Sequence, residues 1–198
     1  MNYLAHAYLS FNIPAVLVGN LISDYVKGKK QFDYPADIRK GIVLHRAIDS
    51  FTDEHEATAV AKEIFRPSYR LYSGAFVDVV YDHFLARDTQ QFTGNRLYAF
   101  SQEVYATLDQ YTSIFPQPFS QLYPYMKKHN WLNNYGNRES IDHSFQGLVR
   151  RAMYLSDSSE AFRLFEKHYD ALQECYDVFF PAVKRFAWSA LEGLDSEN

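Results

Sequence analysis

The chain has 198 residues, 47% hydrophobic and 22% charged, with a formal net charge of −4. That length supports one sizeable core and nothing in the composition marks a second unit, so a single domain spanning 1–198 is expected. The acidic balance argues against a protein that coats nucleic acid, which needs a basic face. The lone cysteine, Cys175, excludes an internal disulfide and a cysteine-based zinc site and fits a reducing compartment.

The periodicity is helical throughout, and no alternating run bounded by hairpin turns predicts a sheet. An all-α helical bundle with an aromatic-rich core follows, since 16 Tyr and 16 Phe must be housed. Taken in order, Asn2 caps a short helix holding His6, and Pro14 opens a second that ends near Lys27-Gly28 with Asp24 in its last turn. No basic start precedes this apolar opening, and Asn2, His6, Asn12, Pro14 and Asn20 interrupt it, so neither a signal peptide nor a membrane span is expected and the location is taken as cytoplasmic. Pro35 opens a long helix carrying His45 and Asp49. Pro67 starts another that runs to about Asp88 with Asp78, Asp82 and His83 along it. A helix over Arg96–Thr112 follows the Gly94-Asn95 break, after which Pro116, Pro118 and Pro124 interrupt regular structure. Trp131–Tyr135 reads as loop. Two last helices are predicted near Glu139–Leu155 and Ser159–Leu191, the second kinked or broken at Pro181.

Chemistry concentrates in the first half. The stretch GAFVDVVYDHFLA at 74–86 is almost wholly apolar apart from Asp78, Asp82 and His83. Carboxylates buried there cost several kcal/mol each unless paired or bound to a cation. His45, Asp49 and Asp53 share one helical stripe at i, i+4, i+8. His6, Asp24, His45, Asp82 and His83 thus lie on four separate predicted helices, the distribution of a metal site in a bundle core. Carboxylates suit hard divalent ions and imidazoles suit Mn²⁺ or Zn²⁺, so the mixed set favours Mn²⁺, with Mg²⁺ or another divalent ion as substitutes. Taken singly, each histidine reads better as a hydrogen-bonded core ring. Arg46, next to His45, is placed to contact phosphate oxygens, or else to pair with Asp49 or Asp24. Lys27, Lys29 and Lys30 read as a solvated run or as a basic rim for an acidic partner. No Glu-x-x-His, glycine-rich phosphate loop or G-x-S-x-G elbow is present.

Four blocks in order, MNYLAHAYLS at the N-terminus, GNLISDYVKG at 19–28, GIVLHRAIDSFTDEH at 41–55 and FRPSYRLYSGAFVDVVYDHFLARD at 65–88, make the sequence resemble the bacterial acyl carrier protein phosphodiesterases. The resemblance implies hydrolysis of the phosphodiester that links 4′-phosphopantetheine to holo acyl carrier protein. It further implies Mn²⁺ dependence and an all-helical fold distantly related to HD-type phosphohydrolases. Carried over position by position, it makes His6, Asp24, His45, Asp49, Asp82 and His83 metal candidates and Arg46 a phosphate contact. Asp78 or Asp49, where not a ligand, is expected to orient the ligand histidines or accept the proton of the attacking water. The Asp82-His83 order reverses the HD doublet. Two other readings stand beside this one: an HD-like phosphohydrolase of nucleotides or another small phosphoester, and a non-catalytic helical module that binds an acidic protein. Oligomeric state is not legible.

Overall fold

The computed structural model describes residues 1–196, and every regular element among them is helical. Helix α1 (Tyr3–Tyr8) starts where the Asn2 side chain accepts from the Tyr3 N–H at 2.9 Å. Helix α2 (Pro14–Ile22) has proline in its first turn, where the missing N–H costs nothing. It stops earlier than expected. Asp24 sits not in its last turn but in a one-turn 3-10 segment, Ser23–Tyr25, followed by a second such segment, Gly28–Asp33.

Helix α3 (Ala36–Glu54) follows Pro35 and lies against α2 at very close range. A Cβ on Gly19 would come 2.0 Å from the Ile38 carbonyl oxygen, and one on Gly41 would come 2.2 Å from that of Val16. The two backbones therefore touch, and only glycine permits it. This crossing brings Asn20 and Asp24 to the face of α3 that carries His45 and Asp49.

Helix α4 (Glu56–Tyr69) contains Pro67 near its end, so the expected start of a helix at Pro67 is corrected: α5 (Ser73–Arg87) begins only after a 3-10 turn at Arg70–Tyr72. Helix α5 is the buried axis of the molecule, with Phe76, Val80, Tyr81, Phe84 and Leu85 inaccessible to solvent. Helices α1, α4 and α9 pack on it.

The second half comprises α6 (Arg96–Asp109), α7 (Gln117–Lys128), α8 (Trp131–Asn134), α9 (Arg138–Arg151), α10 (Ser159–Lys167) and α11 (Tyr169–Ser196). Three expectations fail here. Pro118 and Pro124 lie within α7, and α11 runs unbroken through Pro181. The interruption falls instead at His168, where the chain turns and delivers Tyr169 to the core. Trp131–Asn134 is a short helix, not a loop, anchored by the Tyr105 hydroxyl, which accepts from the Leu132 N–H at 3.1 Å. None of the described helices is long and apolar enough to cross a membrane.

Candidate metal centre

Asn20 is fully buried in α2, and its neighbours fix how its amide faces. Its Nδ2 donates to the His6 carbonyl at 2.9 Å and to Ser10 Oγ at 3.1 Å. Asn20 Oδ1 is thereby turned toward His6 Nδ1 at 2.8 Å. An amide oxygen only accepts, so the ring proton sits on Nδ1 and the Nε2 lone pair points the other way. Burial holds His6 down at about 4, which keeps the ring neutral.

That lone pair faces a carboxylate. His6 Nε2 lies 3.2 Å from Asp49 Oδ1, off the line of a hydrogen bond and with no other partner. Two acceptors opposed in this way repel unless a cation lies between them. His45 completes the group: its Nε2 is 3.1 Å from Asp49 Oδ2 and 3.2 Å from Asp24 Oδ1, and its ring stacks on His6 at 4.0 Å between centroids. His45 Nδ1 is buried without a partner, so stacking and the Nε2 contacts alone hold the ring. Ligand atoms of His6, His45 and Asp49 all lie within 4.8 Å of one another. The donor set, two imidazole nitrogens and a carboxylate, fits a divalent ion.

The electrostatics describe the same deficit of positive charge. Burial opposes an imidazolium at His45, yet its bonds to Asp24 and Asp49 outweigh that and hold its pKa up at about 9. The hydrogen bond from His45 lowers Asp24. Burial would raise Asp49, but the hydrogen bond from His45 pulls it far below the carboxylate range. A proton on His45 and a divalent ion are thus alternative ways of meeting one demand. Asp24, with 67% of its side chain exposed, stands at the mouth of the centre, while the histidines form its floor.

The family model for acyl carrier protein phosphodiesterase matches residues 1–183. The chain belongs to that family. A relative of that name from Yersinia pestis is 34% identical over 94% of this chain and 97% of its own. Others so named, from Photorhabdus laumondii and Klebsiella pneumoniae, are 31% and 32% identical over 91% and 94% of this chain, covering 92% and 97% of theirs. No solved structure matches. The family is one of hydrolase enzymes, which makes the acid-and-imidazole cluster the natural place to look for chemistry.

Not every candidate of this phosphodiesterase family chain reaches the cluster. Asp82 is fully buried and accepts from the N–H groups of Asn2, Leu4 and Ala5 at 3.2, 2.7 and 3.2 Å, so it caps the start of α1. His83 is spent as well. Its Nδ1 donates to the Tyr135 carbonyl at 2.7 Å and its Nε2 accepts from the Tyr169 hydroxyl at 2.9 Å. The structure does not bring Asp82 and His83 into the group formed by His6, His45 and Asp49: their polar atoms meet backbone and aromatic partners instead. Asp78 takes the Met1 amino group at 2.8 Å, and that amine is also 3.8 Å from Asp49. Arg46 pairs with neither Asp49 nor Asp24: it donates to the Val26 carbonyl at 2.8 Å and to Gln31 at 3.2 Å, bracing the segment that carries the lysines. Asp53 is engaged by Lys62 at 2.6 Å, away from the centre. Asn20 went unnoticed in the sequence, although a lone amide inside PAVLVGNLI carries the same signal as a carboxylate in an apolar helix.

Proposed function

We propose that the chain hydrolyses the phosphodiester between 4′-phosphopantetheine and the serine of holo acyl carrier protein, with Mn²⁺ held by His6, His45 and Asp49 and with Asp24 at its edge. The observation that carries this reading is the convergence of the His6 and His45 Nε2 atoms on the Asp49 carboxylate, with the His6 tautomer locked by Asn20. A divalent ion there neutralises charge on the phosphodiester and makes a bound water more acidic.

The chain's own groups divide the remaining work. Water attacks phosphorus, the bond from phosphorus to the serine oxygen breaks, and a proton passes to that oxygen, giving apo carrier protein and 4′-phosphopantetheine. Asp24, exposed at the mouth of the centre, takes the proton of the attacking water. Asp78, which holds the Met1 amine against Asp49, keeps that carboxylate in place. Arg46 uses two of its five donors on the neighbouring segment and keeps the rest for non-bridging phosphate oxygens. The exposed Lys27, Lys29 and Lys30 meet an acidic carrier protein.

The decisive experiment is mass spectrometry of holo acyl carrier protein incubated with the protein and Mn²⁺. Loss of the phosphopantetheine mass, abolished by EDTA and in His45→Ala, is expected. An unchanged holo mass at stoichiometric enzyme would overturn the reading.

A further inference from the structure

A cavity of about 590 Å³ lies where the start of α1 meets α8 and α9, and the cluster just described does not use it. Its walls include Tyr3, Trp131, Asn134, Gly147, Leu148 and Arg151. Tyr3 lines the cavity and reaches toward the centre through Tyr25. Its ring sits 6.5 Å from that of Trp131, and its hydroxyl bonds at 2.7 Å to the hydroxyl of Tyr25, the residue after Asp24. The Tyr3 hydroxyl accordingly feels both Asp24 on one side and Arg151 on the other. No carboxylate lines the cavity among the described residues, whereas two arginines and two histidines do.

We propose that this cavity seats the organic arm of the substrate, a slender neutral chain bearing amides and ending in a thiol or its acyl ester, while the phosphate it hangs from lies at the His6–His45–Asp49 centre. The proposal rests on the hydrolysis reading above and adds where the arm goes. The volume suits one such chain. Aromatic faces and Leu148 cover methylene and methyl groups, the Asn134 amide offers both a donor and an acceptor to the chain's amides, and the cationic rim favours a ligand that carries phosphate at one end. Tyr3, which lines the cavity and bonds through its hydroxyl to Tyr25 beside Asp24, is the link between cavity and centre along which the chain would lie.

The test needs neither turnover nor metal. Trp131 and Trp188 are the two tryptophans, and Trp188 packs edge-on against Phe11, outside the cavity lining. Trp188→Phe therefore leaves Trp131 as the sole reporter, and titration with pantetheine is expected to change its fluorescence saturably. Gly147→Phe in that background should weaken binding about tenfold or more. The backbone admits a side chain there, since a Cβ on Gly147 meets only Arg151 Nη1 at 3.9 Å. If Gly147→Phe fails to fold by its thermal transition, Gly147→Leu fills less of the space and takes its place. No saturable change with pantetheine, or binding undiminished in a folded, filled variant, would overturn the assignment. Holo carrier cleaved normally by a protein that ignores pantetheine would remove the arm site and leave the hydrolysis reading intact. Pantetheine bound without any cleavage would do the reverse.

Discussion

The His6 ring shows how one amide can decide the chemistry of an imidazole. Asn20 dictates which nitrogen carries the proton, and so which one is free to bind a cation. Asn20→Ala removes that instruction and leaves the His6 carbonyl and Ser10 Oγ short of a donor. Its expected effect is a fall of about 10–100-fold in divalent-ion affinity, the usual loss when a ligand's orienting partner goes, read by calorimetric titration of metal. Affinity within twofold of the parent would show that the tautomer is set elsewhere. His83 behaves differently because it serves packing. Burial depresses its pKa to about 4, below the value of about 6.5 it regains on unfolding. Between these limits the unfolded chain binds the extra proton, so stability is fully present above about pH 6.5 and declines as pH falls toward 4. The decline is about 3 kcal/mol over that window. Denaturant titrations at pH 7, 5.5 and 4.5 should show this slope added to that of His6, which burial likewise holds down at about 4, and His83→Asn, which keeps the donor to Tyr135 but does not titrate, should remove the His83 share. An equal slope in both proteins would place the acid sensitivity in other groups.

At the scale of elements, what the sequence conveyed was where polar groups interrupt apolar helices, and what it hid was which face each helix shows to water. Pro67, Pro124 and Pro181 were read as boundaries. All three sit on exposed faces, and the carbonyls they release, those of Glu63, Ser120 and Asp177, are on exposed residues where water can serve them. Asp82-His83 was correctly legible as buried polarity needing compensation. The compensation comes from three backbone N–H groups, Tyr135 and Tyr169, partners remote in sequence that spacing alone does not reveal. His45 and Asp49 share one face of α3, and Asn20, which holds His6, and Asp24 meet that face because α2 and α3 cross at Gly19 and Gly41; neither glycine stood out in the sequence. Gly19→Ala tests that crossing. With Ile38 O only 2.0 Å from the new Cβ, the helices must separate, at a cost of about 1–3 kcal/mol or more. A fall of several degrees in Tm is expected together with weaker metal binding, because Asn20 and Asp24 move with α2. A destabilised protein that binds metal as well as its parent would mean that the crossing supports the fold but does not set the site.

At the scale of the whole molecule, a chain of net charge −4 repels an acidic partner at long range, so capture of such a partner needs a local patch of opposite sign. Lys27, Lys29 and Lys30 form one. They are exposed on and beside the 3-10 segment Gly28–Asp33, directly after Tyr25 and Val26, and Arg46 ties that segment to α3 through Val26 and Gln31. Phe32, 63% exposed in the same segment with Arg39 against its ring, adds an apolar contact among the charges. The patch thus adjoins the mouth marked by Asp24 and is held there by Arg46, the side chain proposed above to meet phosphate. Reversing all three lysines to Glu should raise KM for holo acyl carrier protein by about tenfold, equivalent to about 1.4 kcal/mol, while kcat stays near its parent value because none of the three touches the centre. The salt dependence supplies the second reading. The parent's kcat/KM should fall as ionic strength rises from about 0.01 to 0.15 M, where the screening length drops from about 30 to 8 Å, and in the reversed variant that fall should vanish or invert. If KM and its salt dependence are both unchanged, the carrier protein docks on another face. Arg150 and Arg151 beside the cavity would then be the next residues to reverse.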